Sequence, residues 1–233
     1  MLDFSRFQVL TFDCYGTLVD WESGIFSALL PILAAHGKSL PDSLLLELYG
    51  ELEAEAEHEP YRPYRDVLQA VVHGFGRRLD FLPSEAESRS LPESLARWQP
   101  FPDTVGALRR LQKRYKLAVL SNIDDDLFAC TAPKLEVSFD HVITAERARA
   151  YKPSIEVFRL AQKRIGVPID RWLHVGQSIY HDVIPAQSLG VSTVWVNRPS
   201  PRSGIGAVKA ATAQPDCVVP TLAALAAMAA SDT

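Results

Sequence analysis

The apolar and polar positions of this chain fall into two patterns. Near the start, Gln8-Val9-Leu10-Thr11-Phe12 is a short β-prone run that stops at Asp13 and turns at Gly16. Residues 21 to 99 then carry helical periodicity and no clear strand, over Ile25–His36, Leu44–Glu57, Tyr64–Leu79 and Glu85–Trp98. The breaks between them fall at Gly37, Pro41, Pro60, Pro63 and Pro83, the usual punctuation between helices.

After Pro100-Phe101-Pro102 the pattern alternates. Asp103–Tyr115 reads as a helix capped by Asp103, and Lys116–Leu120 as a strand ending in Ser121-Asn122. Asp140–Ile143 is a short strand, and Ser154–Ile165 a helix stopped by Gly166. Trp172–Val175 is a strand ending at Gly176, Asp182–Leu189 a helix, and Ser192–Val196 a strand. Cys217–Val219 and Thr221–Ala230 read as a last strand and an alanine-rich helix. Strands separated by helices imply right-handed βαβ crossovers and a mainly parallel sheet. The expected fold is therefore α/β, a Rossmann-like doubly wound core made of residues 1–18 and 100–233. Residues 19–99 form an inserted all-helical cap domain, and 197–215, rich in Pro, Ser, Gly, Ala and Arg, is an exposed loop.

Composition narrows the function. The 233 residues are 47% hydrophobic and 22% charged, which suits a packed globular core rather than a disordered or fibrous chain. Twenty-four Lys+Arg against 28 Asp+Glu leave a net charge of −4 with no basic cluster, a poor match for nucleic acid, whose binding rests on neutralising phosphates. No apolar run approaches the roughly 20 residues needed to cross a bilayer. Asp3 and Arg6 without an apolar h-region predict no signal peptide. Cys14, Cys130 and Cys217 are scattered, forming neither a disulfide framework nor a metal motif, and fit a reducing, cytoplasmic location.

In an open parallel sheet, ligands bind at the carboxyl ends of the strands near the switch point. Polar residues stand at four such ends or the loops just after them: Asp13, Ser121-Asn122, Lys152 and Asp182. A carboxylate such as Asp13 can attack an electrophilic centre and form an ester, dividing one hard step into two. Gly16 permits the turn behind it, where backbone N–H groups can gather around an anion. Lys152 would hold Asp13 ionised, and Asp182 would orient Lys152 or activate water. Each has a plainer alternative: a turn aspartate, a surface lysine, a helix cap at Asp182.

Taken together, Asp13-x-Tyr15-Gly16-Thr17, Ser121-Asn122, Lys152-Pro153 and Gly176 followed by Asp182 resemble the haloacid dehalogenase superfamily over nearly the whole chain. Phosphatases of that superfamily carry a second aspartate where Tyr15 stands and another where Gln177 stands. Magnesium wants hard, mostly anionic oxygen ligands, so neither metal nor other cofactor is expected here. Tyr15 resembles the metal-independent L-2-haloacid dehalogenases. The resemblance implies Asp13, Lys152 and Asp182 as catalytic residues, and Cys14, Tyr15, Thr17, Trp21, Ser121 and Asn122 as substrate-binding ones.

Some positions depart from the dehalogenases. Their halide-cradling arginine would fall near Tyr49-Gly50-Glu51, where there is none, and Arg62 and Arg65 read as surface residues. A serine and an asparagine of that family correspond to Gln177 and Ile179, and a tyrosine to Phe158. L-Azetidine-2-carboxylate hydrolase, a dehalogenase relative, resembles the chain more closely, through Leu10–Leu18, Asp20-Trp21-Glu22, Leu120–Asp124 and Tyr180-His181-Asp182. Ring opening releases nitrogen and needs no halide cradle. On that reading Trp21 and Tyr15 face a substrate ammonium, although Trp21 also suits packing at the core–cap hinge and His181 a structural role.

The expected function is thus a metal-independent hydrolase that displaces a leaving group near the α-carbon of a small carboxylic acid. A C–N ring-opening hydrolase, a phosphatase with altered motifs and a non-catalytic carboxylate binder are the alternatives. The partner is a small-molecule carboxylate, with no nucleic acid and no membrane. Dehalogenase relatives are often homodimers, though no apolar stripe here demands one.

Overall fold

The computed structural model describes residues 2–58, 60–198, 207 and 211–231. Six parallel strands form one sheet in the order β3-β2-β1-β4-β5-β6. They are β1 (Val9–Phe12), β2 (Lys116–Ser121), β3 (His141–Thr144), β4 (Trp172–Gly176), β5 (Ser192–Val196) and β6 (Cys217–Val219). β1 pairs with β2 through Val9↔Lys116 and with β4 through Val9↔Trp172, so strand order reverses beside β1. Every residue of β1 and β4 is buried, as expected of central strands covered on both faces. Asp13 follows the last residue of β1 and therefore lies at the carboxyl edge of the sheet, at the switch point.

Between β1 and β2 the chain forms α1 (Trp21–Ala35), α2 (Asp42–Ala56), α3 (Tyr64–Leu79), α4 (Glu85–Ser94), a 3-10 turn at Leu95–Arg97, and α5 (Thr104–Leu111). Then come α6 (Asp125–Leu135), α7 (Ala145–Ala148), α8 (Ile155–Ile165), a π-helical turn at Ile179–Val183 continuing into α9 (Ile184–Ser188), and α10 (Leu222–Ser231). α1 starts four residues before the periodicity suggests, because the Asp20 side chain caps it by accepting from Ser23 N at 3.1 Å. α4 carries a complete capping box between Ser84 and Glu87. One apolar cluster joins Leu10 and Phe12 of β1 to the inserted helices, and a second packs Val9, Ala118 and Trp172 under α8.

Several expectations need correction. Asp103 does not cap α5: its own backbone is already helical (φ −89°, ψ −15°), which turns the carboxylate away from that first turn. It accepts instead from Leu222 N (2.7 Å) and Ala223 N (3.2 Å) at the start of α10, and pairs with Arg198. α6 was not expected from the sequence; Asp124-Asp125-Asp126 opens it, favourably placed against the helix dipole, while Pro133 inside it disguises the period. Most of the 197–215 loop lies outside the described residues.

The loop after β2 also holds the inserted helices. α3 follows Pro63 and has no side-chain cap of its own. Its first amides, Tyr64 N (2.8 Å) and Arg65 N (2.9 Å), donate to the buried carboxylate of Asp124. Asp124→Ala therefore leaves two amides without their acceptor. We expect a loss of about 1–2 kcal/mol, the size of a lost helix cap, read from urea denaturation at neutral pH.

Candidate active site

Asp13 sits 9% exposed at the floor of a cavity of about 60 Å³, space for a small molecule only. Its Oδ1 accepts from Lys152 Nζ at 2.9 Å and its Oδ2 from Thr17 Oγ1 at 2.7 Å. Thr17 is fixed in turn, since its Oγ1 accepts from Gln177 N at 2.9 Å. The turn between Asp13 and Thr17 depends on Gly16, whose φ of +94° lies in the region that side chains resist. A Cβ there would also come within 3.0 Å of both Gln177 Oε1 and Trp21 Nε1.

Lys152 is buried, and its ammonium lies 2.6 Å from Asp182 Oδ1 as well as 2.9 Å from Asp13. Asn122 clamps the main chain that carries it: Oδ1 accepts from Lys152 N (2.7 Å) and Nδ2 donates to Lys152 O (3.1 Å). Asp182 comes from the π-helical turn, which is capped by Ser178 and not by Asp182 itself. Its Oδ2 accepts from Ser178 N at 3.1 Å. It lies so close to β4 that a Cβ on Gly176 would approach its Cγ to 2.4 Å, so only glycine fits there.

Beneath Asp182 lies a residue that sequence reasoning missed. His174, 1% exposed in β4, faces Asp182 Oδ1 through Nε2 (3.2 Å) and Thr11 Oγ1 through Nδ1 (2.8 Å). Trp172 Nε1 donates to the same Thr11 oxygen at 2.8 Å. The four side chains thus form one hydrogen-bonded chain from Trp172, which can only donate, through Thr11 and His174 to the Asp182 carboxylate, which accepts. A histidine in the middle of a fully buried strand was the signal, because such a group needs two partners.

Charge follows this geometry. Burial pushes the Asp13 carboxyl above the ordinary carboxylate range; Lys152 pulls against it, Asp182 adds to it, and Thr17 again lowers it. Burial would also raise Asp182, but the Lys152 ammonium and His174 outweigh it and hold Asp182 well below that range. Burial would lower the Lys152 ammonium, yet Asp13 and Asp182 hold it above the usual lysine value.

The remaining expected residues fall into two groups. Tyr15, Trp21, Ser121, Asn122 and His181 line the cavity. The Tyr15 hydroxyl is turned to Thr131 Oγ1 (2.8 Å), and Trp21 meets Tyr49 edge-on at 5.9 Å, so packing and cavity lining coexist there. Ser121 Oγ is buried and has no hydrogen-bond partner. Cys14 is fully buried in the core and does not line the cavity, nor do Arg62, Arg65 or Phe158. Arg65 pairs with Asp126, and Phe158 packs edge-on against His174.

The opposite wall holds Glu53, Glu57 and Tyr64, none of them expected. Glu53 Oε1 accepts from both Tyr64 OH (2.5 Å) and Tyr49 OH (3.0 Å). Among the described residues, Glu57 has only a long contact, 3.5 Å from Asn122 Nδ2. Tyr49, Glu53 and Glu57 recur every fourth residue and so share one line along α2, beside its buried stripe of Leu45, Leu52 and Ala56. That spacing was the available signal.

Residues 7–190 match the model of a hydrolase family described as haloacid dehalogenase-like. The chain belongs to the haloacid dehalogenase-like hydrolases. It is 29% identical over 229 residues to an (S)-2-haloacid dehalogenase of Pseudomonas fluorescens, covering 93% of each chain. It is 28% identical over 199 residues to haloacetate dehalogenase H-2 of Moraxella sp. (strain B), covering 83% of this chain and 87% of that one. Its fold matches L-2-haloacid dehalogenase from Xanthobacter autotrophicus with chloropropionic acid covalently bound, at TM-score 0.79 and 22% identity, over 95% of this chain and 98% of that one. This haloacid dehalogenase-like hydrolase carries no aspartate at the two positions where the resemblance to phosphatases implies one. Tyr15 and Gln177 stand at two carboxylate positions, and Asp13 and Asp182 already share one ammonium. Among the described residues no group of three or more His, Cys, Asp or Glu side chains could hold a metal ion, and no helix is long and apolar enough to cross a membrane.

Proposed function

We propose that this hydrolase cleaves the bond between the α-carbon of a small carboxylic acid and its leaving group, through an ester formed on Asp13. The observation that carries this reading is the Asp13 carboxylate on the cavity floor, aligned by Thr17 at 2.7 Å and charge-balanced by Lys152 at 2.9 Å. A carboxylate oxygen attacks the α-carbon, and the breaking bond leaves its electron pair on the departing atom. Water then attacks the ester carbonyl of Asp13. The hydroxy acid leaves with one proton, a second proton goes to solvent or to the departed base, and solvent oxygen stays in Asp13. Lys152 offsets the negative charge of that tetrahedral intermediate. Asp182, with Oδ1 taken by Lys152 and His174 and Oδ2 by Ser178 N, positions Lys152 rather than activating water. Ser121 Oγ supplies a donor for the substrate carboxylate. Residues 1–18 with 100–233 act as the core, and the helices of 19–99 as a cap that keeps bulk water from the ester.

The (S)-2-haloacid dehalogenase of Pseudomonas fluorescens supports a halide as leaving group. The cavity lining favours a second reading, a ring nitrogen, because among the described residues it holds no arginine and no lysine besides Lys152. A protonated ring nitrogen departs as a neutral amine and needs no cation to receive it.

The test is turnover in heavy-oxygen water, with L-2-chloropropionate and L-azetidine-2-carboxylate in separate tubes without added metal. Lactate should form from the first, or a ring-opened amino hydroxybutanoate from the second (4-amino-2-hydroxy by attack at the α-carbon, 2-amino-4-hydroxy by attack at the ring CH2 beside nitrogen), and the peptide containing Asp13 should gain heavy oxygen. Heavy oxygen in the product hydroxyl during a single turnover, with none in Asp13, would mean direct attack by water and would overturn the ester.

A further inference from the structure

Asp13, Lys152 and Asp182 account for the cavity floor but leave the wall built by α2 unexplained. The charged and titratable groups around the space are Asp13, Lys152, Asp182 and His181 on the sheet side, with Tyr15 beside them. On the inserted side stand Glu53, Glu57 and Tyr64, with Tyr49 behind Glu53. Four carboxylates therefore face one ammonium, which two of them already share. A purely anionic substrate would bring a further negative charge into that surplus. A second cavity of about 300 Å³ shares Glu53, Glu57, Lys152 and His181 with the first, so a molecule crossing between them passes both glutamates. Independently, Ser121 Oγ is fully buried, lines the same cavity and has no hydrogen-bond partner, so it can bond a polar atom that enters there.

We propose that Glu57, backed by Glu53, is the cation-recognising element of this site, and that the substrate is a small zwitterion. Its carboxylate lies toward Ser121 and Lys152, and its ammonium nitrogen toward Glu57. The proposal rests on reading this cavity as the active site and names its substrate class. Glu53 is held by the two phenol hydroxyls, whereas Glu57, with one long contact, is left to meet the ligand. Trp21 and Tyr64 border the same space. Burial pushes Glu57 well above the usual range, with Glu53 adding to the shift, and burial raises Glu53 as well, so both resist ionisation while no cation faces them. A bound ammonium favours the ionised form.

The experiment is isothermal titration of the Asp13→Asn protein, which cannot turn over, so the outcome does not depend on the ester chemistry. The probes are L-azetidine-2-carboxylate, its carbon counterpart cyclobutanecarboxylate, and L-2-chloropropionate. The azetidine should bind roughly 10- to 100-fold more tightly than cyclobutanecarboxylate. Adding Glu57→Gln should remove that preference, while cyclobutanecarboxylate and chloropropionate bind as well or better. The ligand comparison stands without the second substitution, should Glu57→Gln fail to fold. Equal behaviour of azetidine and cyclobutane ligands, including binding of neither, overturns the proposal, and so does an equal loss for all three in Glu57→Gln.

Discussion

Lys152→Met will abolish turnover and cost about 3–5 kcal/mol of stability at neutral pH, the scale seen when one partner of a buried ion pair is removed. Lys152 is 1% exposed, and its ammonium is the only positive charge between Asp13 and Asp182. Methionine fills similar volume but leaves two like charges buried side by side. In the wild type, Asp182 is held below its unfolded value, so its contribution is present above about pH 3.9 and is lost as pH falls below that. Lys152 is held above its unfolded value, so its contribution is present below about pH 10.4 and is lost as pH rises beyond it. The whole cluster therefore counts between roughly pH 4 and 10. In Lys152→Met the carboxylates relieve their repulsion by taking up protons. Its deficit against wild type, from urea denaturation, should shrink as the buffer is taken from pH 7.5 toward pH 4.5. A deficit under about 1 kcal/mol at neutral pH would place the ammonium at the surface instead.

Asp13→Asn should separate activity from stability. We expect turnover to drop by about 10⁴-fold or more, the scale of removing a nucleophile, while the melting temperature holds or rises. Burial raises Asp13, so its ionised form costs stability above the ordinary carboxylate pKa, and a neutral amide removes that cost. The same shift sets a pH profile for the wild type. The attacking carboxylate must be ionised, so kcat/KM should fall on the acid side with a midpoint above the usual aspartate value of 3.8. An acid limb unchanged from that value, or residual activity in Asp13→Asn within tenfold of wild type, would assign the attack to another group.

The strands, their parallel order and the convergence of Asp13, Lys152 and Asp182 were legible because each rests on local chemistry. Buried central strands leave unbroken apolar runs, and the carboxyl edge of such a sheet collects whatever polar residue ends each run. The α2 wall was not legible in the same way. Glu53 and Glu57 sit among Glu51, Glu55 and Glu59, and on a surface helix such a run reads as a solvated face. Only the placement of α2 across the cavity from the sheet edge decides which carboxylates point inward. Asp103 and Asp124 show the same limit, since each caps a helix that begins far away in sequence, α10 and α3 respectively. Capping rules find caps beside their own helix and cannot find these.

The Asp124 bridge has a dynamic consequence. The amides of Tyr64 and Arg65 donate to a carboxylate on the sheet side and not to their own helix, so they stay protected only while the two layers touch. Their exchange with heavy water then times the parting of the inserted helices from the sheet, separately from unfolding of α3 itself. Asp124 lies two residues beyond Asn122, which clamps Lys152, and three beyond Ser121 at the end of β2. One short segment thus carries both the anchor of the inserted helices and the clamp on the ammonium.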